Sequence, residues 1–171
     1  MAKIFLGLGS NLGGPAKKMR GALARIHDCM VVEQLSSLYR TEPVGLSDQP
    51  FFLNAVLAGR TSLRAPELLE NLSALEQKMG RLRNVKMGPR TIDIDLLVYD
   101  DLKIDTPQLT LPHPRMIERR FVLAPLAEIA PEFRPPGMAK TVSELLSELA
   151  YTETVEVVAD GDWSVYDPGV S

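Results

Sequence analysis

Asp93 and Asp95 stand inside an otherwise apolar run, TIDIDLLVY, at residues 91–99. Thr91, Ile92, Ile94, Leu96, Leu97, Val98 and Tyr99 have the β-branched, aliphatic and aromatic character of a strand. Strand side chains alternate between faces, so the two carboxylates point the same way, about 6.6 Å apart. Like charges at that spacing repel unless a cation lies between them. Mg²⁺ takes one or two carboxylates and completes its octahedron with water and phosphate oxygens, which suits an Asp-x-Asp pair. The plainer alternative leaves both aspartates in solvent on a half-exposed strand, with Ile92, Ile94 and Leu96 facing the core.

Cations crowd the same region. No acid falls between Glu76 and Asp93, while Lys78, Arg81, Arg83, Lys86 and Arg90 all do, and Arg115, Arg119 and Arg120 form a second cluster. Arginines beside a metal-binding pair can neutralise phosphate oxygens and a transferring group, so the combination points to a nucleotide polyphosphate. The plain alternative is a solvated helix end and loop. His113, between two prolines in LPHPR, is either structural or a phosphate donor. On the strand FFLNAVLAG, Phe52 and Asn54 share one face, and Phe51, Leu53 and Ala55 the other. Such a strand is ordinarily core, yet a buried asparagine needs partners for its donors and acceptors. A flat heterocycle would satisfy Asn54 and stack on Phe52. GLGSNLGG, 7–14, lacks the third glycine of a dinucleotide loop and the Gly-Lys-Ser/Thr of a P-loop, so it reads as a strand-to-helix connection capped by Ser10 or Asn11.

The elements that must hold these residues follow from periodicity. Strands are expected over 3–9, 31–40, 51–59 and the aspartate segment, with helices from Pro15 to about Asp28 and from Pro66 to Gly80. That β-α-β-β-α-β order is the ferredoxin-like arrangement, an α+β fold with an antiparallel sheet and helices packed on it. Beyond it, DDLKID reads as a turn into a short strand and LTLPHPRMIERRFVLAPLAEIAP as a loop and a helix. Thr141 and Glu144 make a capping box, and TVEVVAD is a candidate last strand. The expected organisation is a single domain over 1–160 with a C-terminal tail over 161–171. Apolar residues make up 45% of the 171, and the net charge of −3 argues against a general nucleic-acid binder. No stretch has the length of a membrane span, and the N-terminus lacks the pattern of a signal peptide. The single Cys29 and two histidines make no disulfide or zinc cluster, and the expected setting is the reducing cytoplasm.

GLGSNLG, YRTEPVG, QPFFLNAV, GPRTIDIDLLVY and LPHPRMIERRFVLAPL, in that order over about residues 3 to 150, resemble the 6-hydroxymethyl-7,8-dihydropterin pyrophosphokinase family. The resemblance implies transfer of the terminal diphosphate of ATP to the hydroxymethyl group of a reduced pterin, with release of AMP. It implies two Mg²⁺ ions on Asp93 and Asp95, with Arg81, Arg83 and Arg90 joining the aspartates in catalysis. Glu76, Arg81, Arg90, Thr110, His113 and Arg119 would bind ATP. Thr41, Pro43, Val44, Phe52, Asn54, Asp93 and Phe121 would bind the pterin, Asn54 at its polar edge and the two phenylalanines at its faces. RNVKMGPR is one residue shorter than in well-known members, Met87 stands where some carry tryptophan, and Arg120 where a small residue is expected. The implied partners are the two small-molecule substrates, and the implied state is a monomer. Two rivals carry different expectations. An RNA-binding module of the same topology would need an aromatic sheet motif that is absent here. An inactive magnesium- and nucleotide-binding regulatory domain would make no AMP.

Overall fold

Along β1 (Ala2–Ser10), Ile4, Leu6 and Leu8 point to one face of a sheet, and Phe5, Gly7 and Gly9 to the other. The computed structural model describes residues 1–42, 50–80, 91–150, 154–159 and 163. Helices α1 (Pro15–Ile26) and α2 (Ala65–Lys78) cover the first face. Each carries a proline in its first turn, where no N–H is needed, and buries one stripe: Met19, Ala22, Leu23 and Ile26 on α1, and Ala65, Leu68, Leu72 and Leu75 on α2.

Strands β4 (Phe52–Thr61) and β5 (Asp93–Tyr99) flank β1, and β2 (Val31–Leu35) and β3 (Leu38–Thr41) both pair with β4. Every pairing is antiparallel, and the order β5-β1-β4-β3 is the split βαβ topology expected. The candidate last strand joins the same sheet as β8 (Val155–Ala159), paired with β3. Two short strands, β6 (Ile104–Asp105) and β7 (Thr110–Leu111), form a ribbon of their own. A 3-10 turn at Met116–Glu118 leads into α3 (Arg120–Ile129), and α4 (Val142–Glu148) follows. The Thr141–Glu144 box opens α4: the Glu144 N–H donates to Thr141 Oγ1 at 3.2 Å, and the Thr141 N–H to Glu144 Oε2 at 2.9 Å. Val122, Leu123 and Leu126 of α3, with Val142 and Leu145 of α4, close the second face over Phe5, Val56, Ala58, Leu97 and Val98. The result is three layers with a core on each side of the sheet.

Two departures from simple alternation matter. The single strand expected over 31–40 breaks at Ser36 and Ser37. There the Val56 N–H donates to Ser36 Oγ at 2.9 Å, so a hydroxyl replaces a backbone carbonyl in the ladder. In β5, Leu6 pairs with Leu96 but Phe5 with Val98, which leaves Leu97 as an extra residue. This bulge puts Leu97 and Val98 together in the second core while Asp93 and Asp95 keep their shared face. Among the described residues no helix is long and apolar enough to cross a membrane.

Candidate active site

The register across the sheet builds the site. Gly9 pairs with Asp93 on one side and Asn54 on the other, Gly7 pairs with Asp95 and Val56, and Asn54 in turn pairs with Tyr39. Side chains opposite one another share a face, so Asp93, Asn54 and Tyr39 form a row with a glycine gap between the first two. That gap is the floor of a cleft. Its lining includes Thr41, Phe52, Asn54, Asp93 and Asp95 from the sheet and Arg119, Phe121 and Val122 from the start of α3. Phe52, Phe121, Asp93 and Asp95 are half-buried; Asn54 and Thr41 are buried. Asn54 Nδ2 donates to Thr41 Oγ1 at 2.7 Å, which orients the amide. The plain alternative for the aspartates is half right: Ile92, Ile94 and Leu96 are buried on the α1–α2 side, but the carboxylates face the cleft rather than open solvent.

A second cavity lies beside α2 and the β6–β7 ribbon. It is lined by Glu76, Thr110 and His113, together with Ser73, Gln108 and again Asp95. Glu76 is buried, and its Oε1 accepts the backbone N–H of Ile94 at 2.8 Å, between the two aspartates. His113 is held by its own N–H, donated to the Leu97 carbonyl at 2.8 Å, and its Nδ1 accepts the Arg115 N–H at 3.2 Å. The neutral ring therefore carries its proton on Nε2. Burial first, and then the Arg119 cation, push its pKa below histidine's ordinary value, against a smaller opposing pull from Asp93. The Arg119 guanidinium also lies 5.4 Å from the Phe121 ring centroid. The fold thus gathers Thr41, Phe52, Asn54, Asp93, Asp95, Arg119 and Phe121 at one cleft and Glu76, Asp95, Thr110 and His113 at the next.

Pro43, Val44, Arg81, Arg83, Arg90 and Met87 lie outside the described residues. The anchors of their segments are visible. Ser10 and Asn11 do not cap α1, whose first residue follows Gly14. The Ser10 hydroxyl instead donates to the Thr91 carbonyl, and Asn11 Nδ2 to the Pro50 carbonyl at 3.2 Å. Thr91 Oγ1 donates to the Gly80 carbonyl at 3.1 Å, which ties together the two described residues on either side of 81–90. Arg120 is half-buried, with its guanidinium toward the Leu149 carbonyl at 3.5 Å. Residues not anticipated from sequence at the two cavities are Gly7, Gly9, Glu42, Ser73 and Gln108. The signal for the glycines was present: in FLGLG they recur with strand period on the face opposite Leu6 and Leu8.

Residues 5–131 match the model of the 7,8-dihydro-6-hydroxymethylpterin-pyrophosphokinase family. A 2-amino-4-hydroxy-6-hydroxymethyldihydropteridine pyrophosphokinase of Synechocystis is 44% identical over 149 residues, 86% of this chain and 76% of that protein. Those of Bacillus subtilis and Pseudomonas aeruginosa are 48% and 40% identical, over 73% and 85% of this chain and 76% and 90% of theirs. Among solved structures, a Plasmodium falciparum HPPK-DHPS crystallised with pteroate superposes with a TM-score of 0.69 at 16% identity, over 85% of this chain. The chain spans only 43% of that longer protein, and the likeness there is one of fold. The fold is of ferredoxin-like build, and the family match and the named relatives make the chain a small-molecule transferase. The chain belongs to the 7,8-dihydro-6-hydroxymethylpterin-pyrophosphokinase family, enzymes of folate biosynthesis.

Proposed function

We propose that this chain transfers the β,γ-diphosphate of ATP to the hydroxymethyl group of 6-hydroxymethyl-7,8-dihydropterin, giving the pterin diphosphate and AMP. The observation that carries the reading is that two cavities of different character meet at one carboxylate, Asp95. The first offers aromatic faces and an oriented amide, suited to a flat heterocycle. Phe52 and Phe121 stack on the ring, Asn54 reads its polar edge, and Thr41 borders the pocket; the family resemblance adds Pro43 and Val44 to the pterin-binding residues. The second offers a hydroxyl, an imidazole N–H and a buried carboxylate beside the strand, suited to a nucleotide. Thr110, His113 and Glu76 hold ATP there, with Arg119 at the junction.

Asp93 and Asp95 fit magnesium by their chemistry: both are hard oxygen donors, half-buried on one face, and the glycines paired with them put no side chain on the neighbouring face of β1. Among the described residues no group of three or more His, Cys, Asp or Glu side chains gathers, and magnesium needs only one or two carboxylates when water and phosphate oxygens complete its shell. Two bound Mg²⁺ ions would neutralise the triphosphate. The protein's own part is to place the pterin alcohol in line with the β-phosphorus and to exclude water. The alcohol oxygen bonds to that phosphorus and releases its proton to solvent, the bond to the α,β-bridging oxygen breaks with its electron pair left on that oxygen, and AMP leaves. Arg81, Arg83, Arg90 and Arg119 stabilise the charge on the moving group. The reading carries a monomer as its plain default, and the lone Cys29 suits the cytoplasm.

The test is to incubate the protein with ATP, magnesium and the reduced pterin, and to separate the nucleotides. AMP formed only with pterin and magnesium is expected. ADP, or magnesium-dependent ATP binding without any product, would overturn the reading, the second in favour of a regulatory domain.

A further inference from the structure

The heterocycle cleft lies between α3 and the strand face of β3 and β4, so its width depends on how α3 is held. Phe121 in the first turn of α3 and Glu128 near its end are seven residues apart, about two turns, and share a helix face. Glu128 reaches the sheet: its Oε2 accepts the backbone N–H of Ser37 at 2.7 Å, and its Oε1 the Tyr39 hydroxyl at 2.7 Å. Tyr39 belongs to β3, the short strand that serves the cleft, and Ser37 lies at the break immediately before it. Tyr39 lies opposite Asn54 in the ladder, and Thr41, two residues on, holds the Asn54 amide. From the other core, buried Trp163 donates Nε1–H to the Ser36 carbonyl at 2.9 Å, so the strand break is pinned from both faces.

We propose that Glu128 is a positioning residue for the pterin cleft: through Ser37 and Tyr39 it fixes α3 against β3, and with it the gap between Phe121 and the strand face bearing Phe52 and Asn54. This rests on the function proposed above. Both bonds are to an ionised acceptor, the stronger kind. Burial and the Glu128 carboxylate raise the Tyr39 pKa well above the ordinary range, so the hydroxyl remains a donor at working pH. Glu128 lines neither cavity, and neither do Ser37 and Tyr39.

The test compares Glu128→Ala, Glu128→Gln and Tyr39→Phe with the unaltered protein by pterin titration, by KM for each substrate, and by thermal unfolding. Glu128→Ala should raise the pterin Kd and KM about tenfold while the ATP KM stays within about twofold. Glu128→Gln, which keeps an acceptor oxygen but loses the charge, should recover most of the loss. Tyr39→Phe should cost about threefold alone and little more on top of Glu128→Ala, since both act through one link. Unchanged pterin affinity in Glu128→Ala, or pterin and ATP KM rising together with a fall in unfolding temperature, would overturn the proposal. An unaltered protein that binds no pterin would overturn the functional reading and this one with it; intact wild-type binding beside an unchanged variant removes only this one.

Discussion

Gly9→Ala tests the cleft with a single carbon. A Cβ at Gly9 would sit 2.9 Å from Asn54 Oδ1, with the Asn54 Cγ and the Leu53 carbonyl oxygen next at 3.9 Å. Carbon and oxygen settle at about 3.4 Å or more, so the amide must retreat by roughly half an ångström. It is tethered at Thr41 Oγ1 by a bond of 2.7 Å and retreats only by stretching or turning it. Losing one or two aligned hydrogen bonds to the pterin, with a buried polar group left unmatched, costs roughly 2–4 kcal/mol. That is a fall in pterin affinity of about thirty- to a thousand-fold. Stability should hardly move: alanine in a strand gains about 0.4–1 kcal/mol through the unfolded state, which offsets the local crowding. Gly7→Ala is the comparison, because its Cβ meets Leu97 at 3.6 Å, an ordinary contact, and should weaken binding far less. Pterin titration with parallel thermal unfolding reads both quantities. Wild-type affinity in Gly9→Ala, or equal losses in the two variants, would refute Asn54 as the reader of the pterin edge.

Asp95→Asn keeps the shape and removes one charge from the junction of the two cavities; turnover should drop at least about a hundredfold with the fold intact, measured as AMP release and circular dichroism. Wild-type turnover there would break the metal assignment. Phe121→Ala should weaken pterin binding by about ten- to a hundred-fold through lost stacking and burial, with the ATP KM unchanged; an equal rise in both constants would undo the stacking role. Because the folded state lowers the His113 pKa, mainly by burial, the unfolded chain takes up a proton first as pH falls through about 6.5. Unfolding free energy should therefore decline on the acid side of neutrality, and His113→Gln should flatten that decline. An unchanged slope in denaturation at stepped pH would remove His113 as its source.

Periodicity was enough to lay out the sheet and both helices of the first layer, because their stripes are uninterrupted: Leu68, Leu72 and Leu75, or Ile4, Leu6 and Leu8. It failed at Ser36 and Ser37, where VVEQLSSLYR keeps strand-like composition and the break arises from a serine hydroxyl entering the ladder of a distant strand. Asn54 and Phe52 could be paired from alternation alone, and so could Asp93 and Asp95. What linear pattern could not supply was the register that sets Gly9 between Asp93 and Asn54. Nor could it show that Ser10 and Asn11 reach the Thr91 and Pro50 carbonyls rather than capping α1. Each of those depends on contacts made across tens of residues, which no local preference encodes.

The placement of the aspartates on β5 has a physical consequence. β5 is the outermost strand at its end of the sheet. A side chain on a central strand sees one face only, and two substrates on different sides could not meet without piercing the sheet. Around an edge strand they can, and Asp95 lines both cavities. An edge also exposes backbone N–H groups that ordinarily need a partner. Here Glu76 takes the Ile94 N–H and the Leu97 carbonyl takes the His113 N–H, so α2 and the β7–α3 connection brace the strand on either side of Asp95. The segment that must hold like charges side by side is thereby fixed from outside the sheet as well as from β1. Repulsion between the carboxylates then cannot be relieved by strand movement. Cations brought into the cleft would ease it further, which is the work an ATP-bound metal would do.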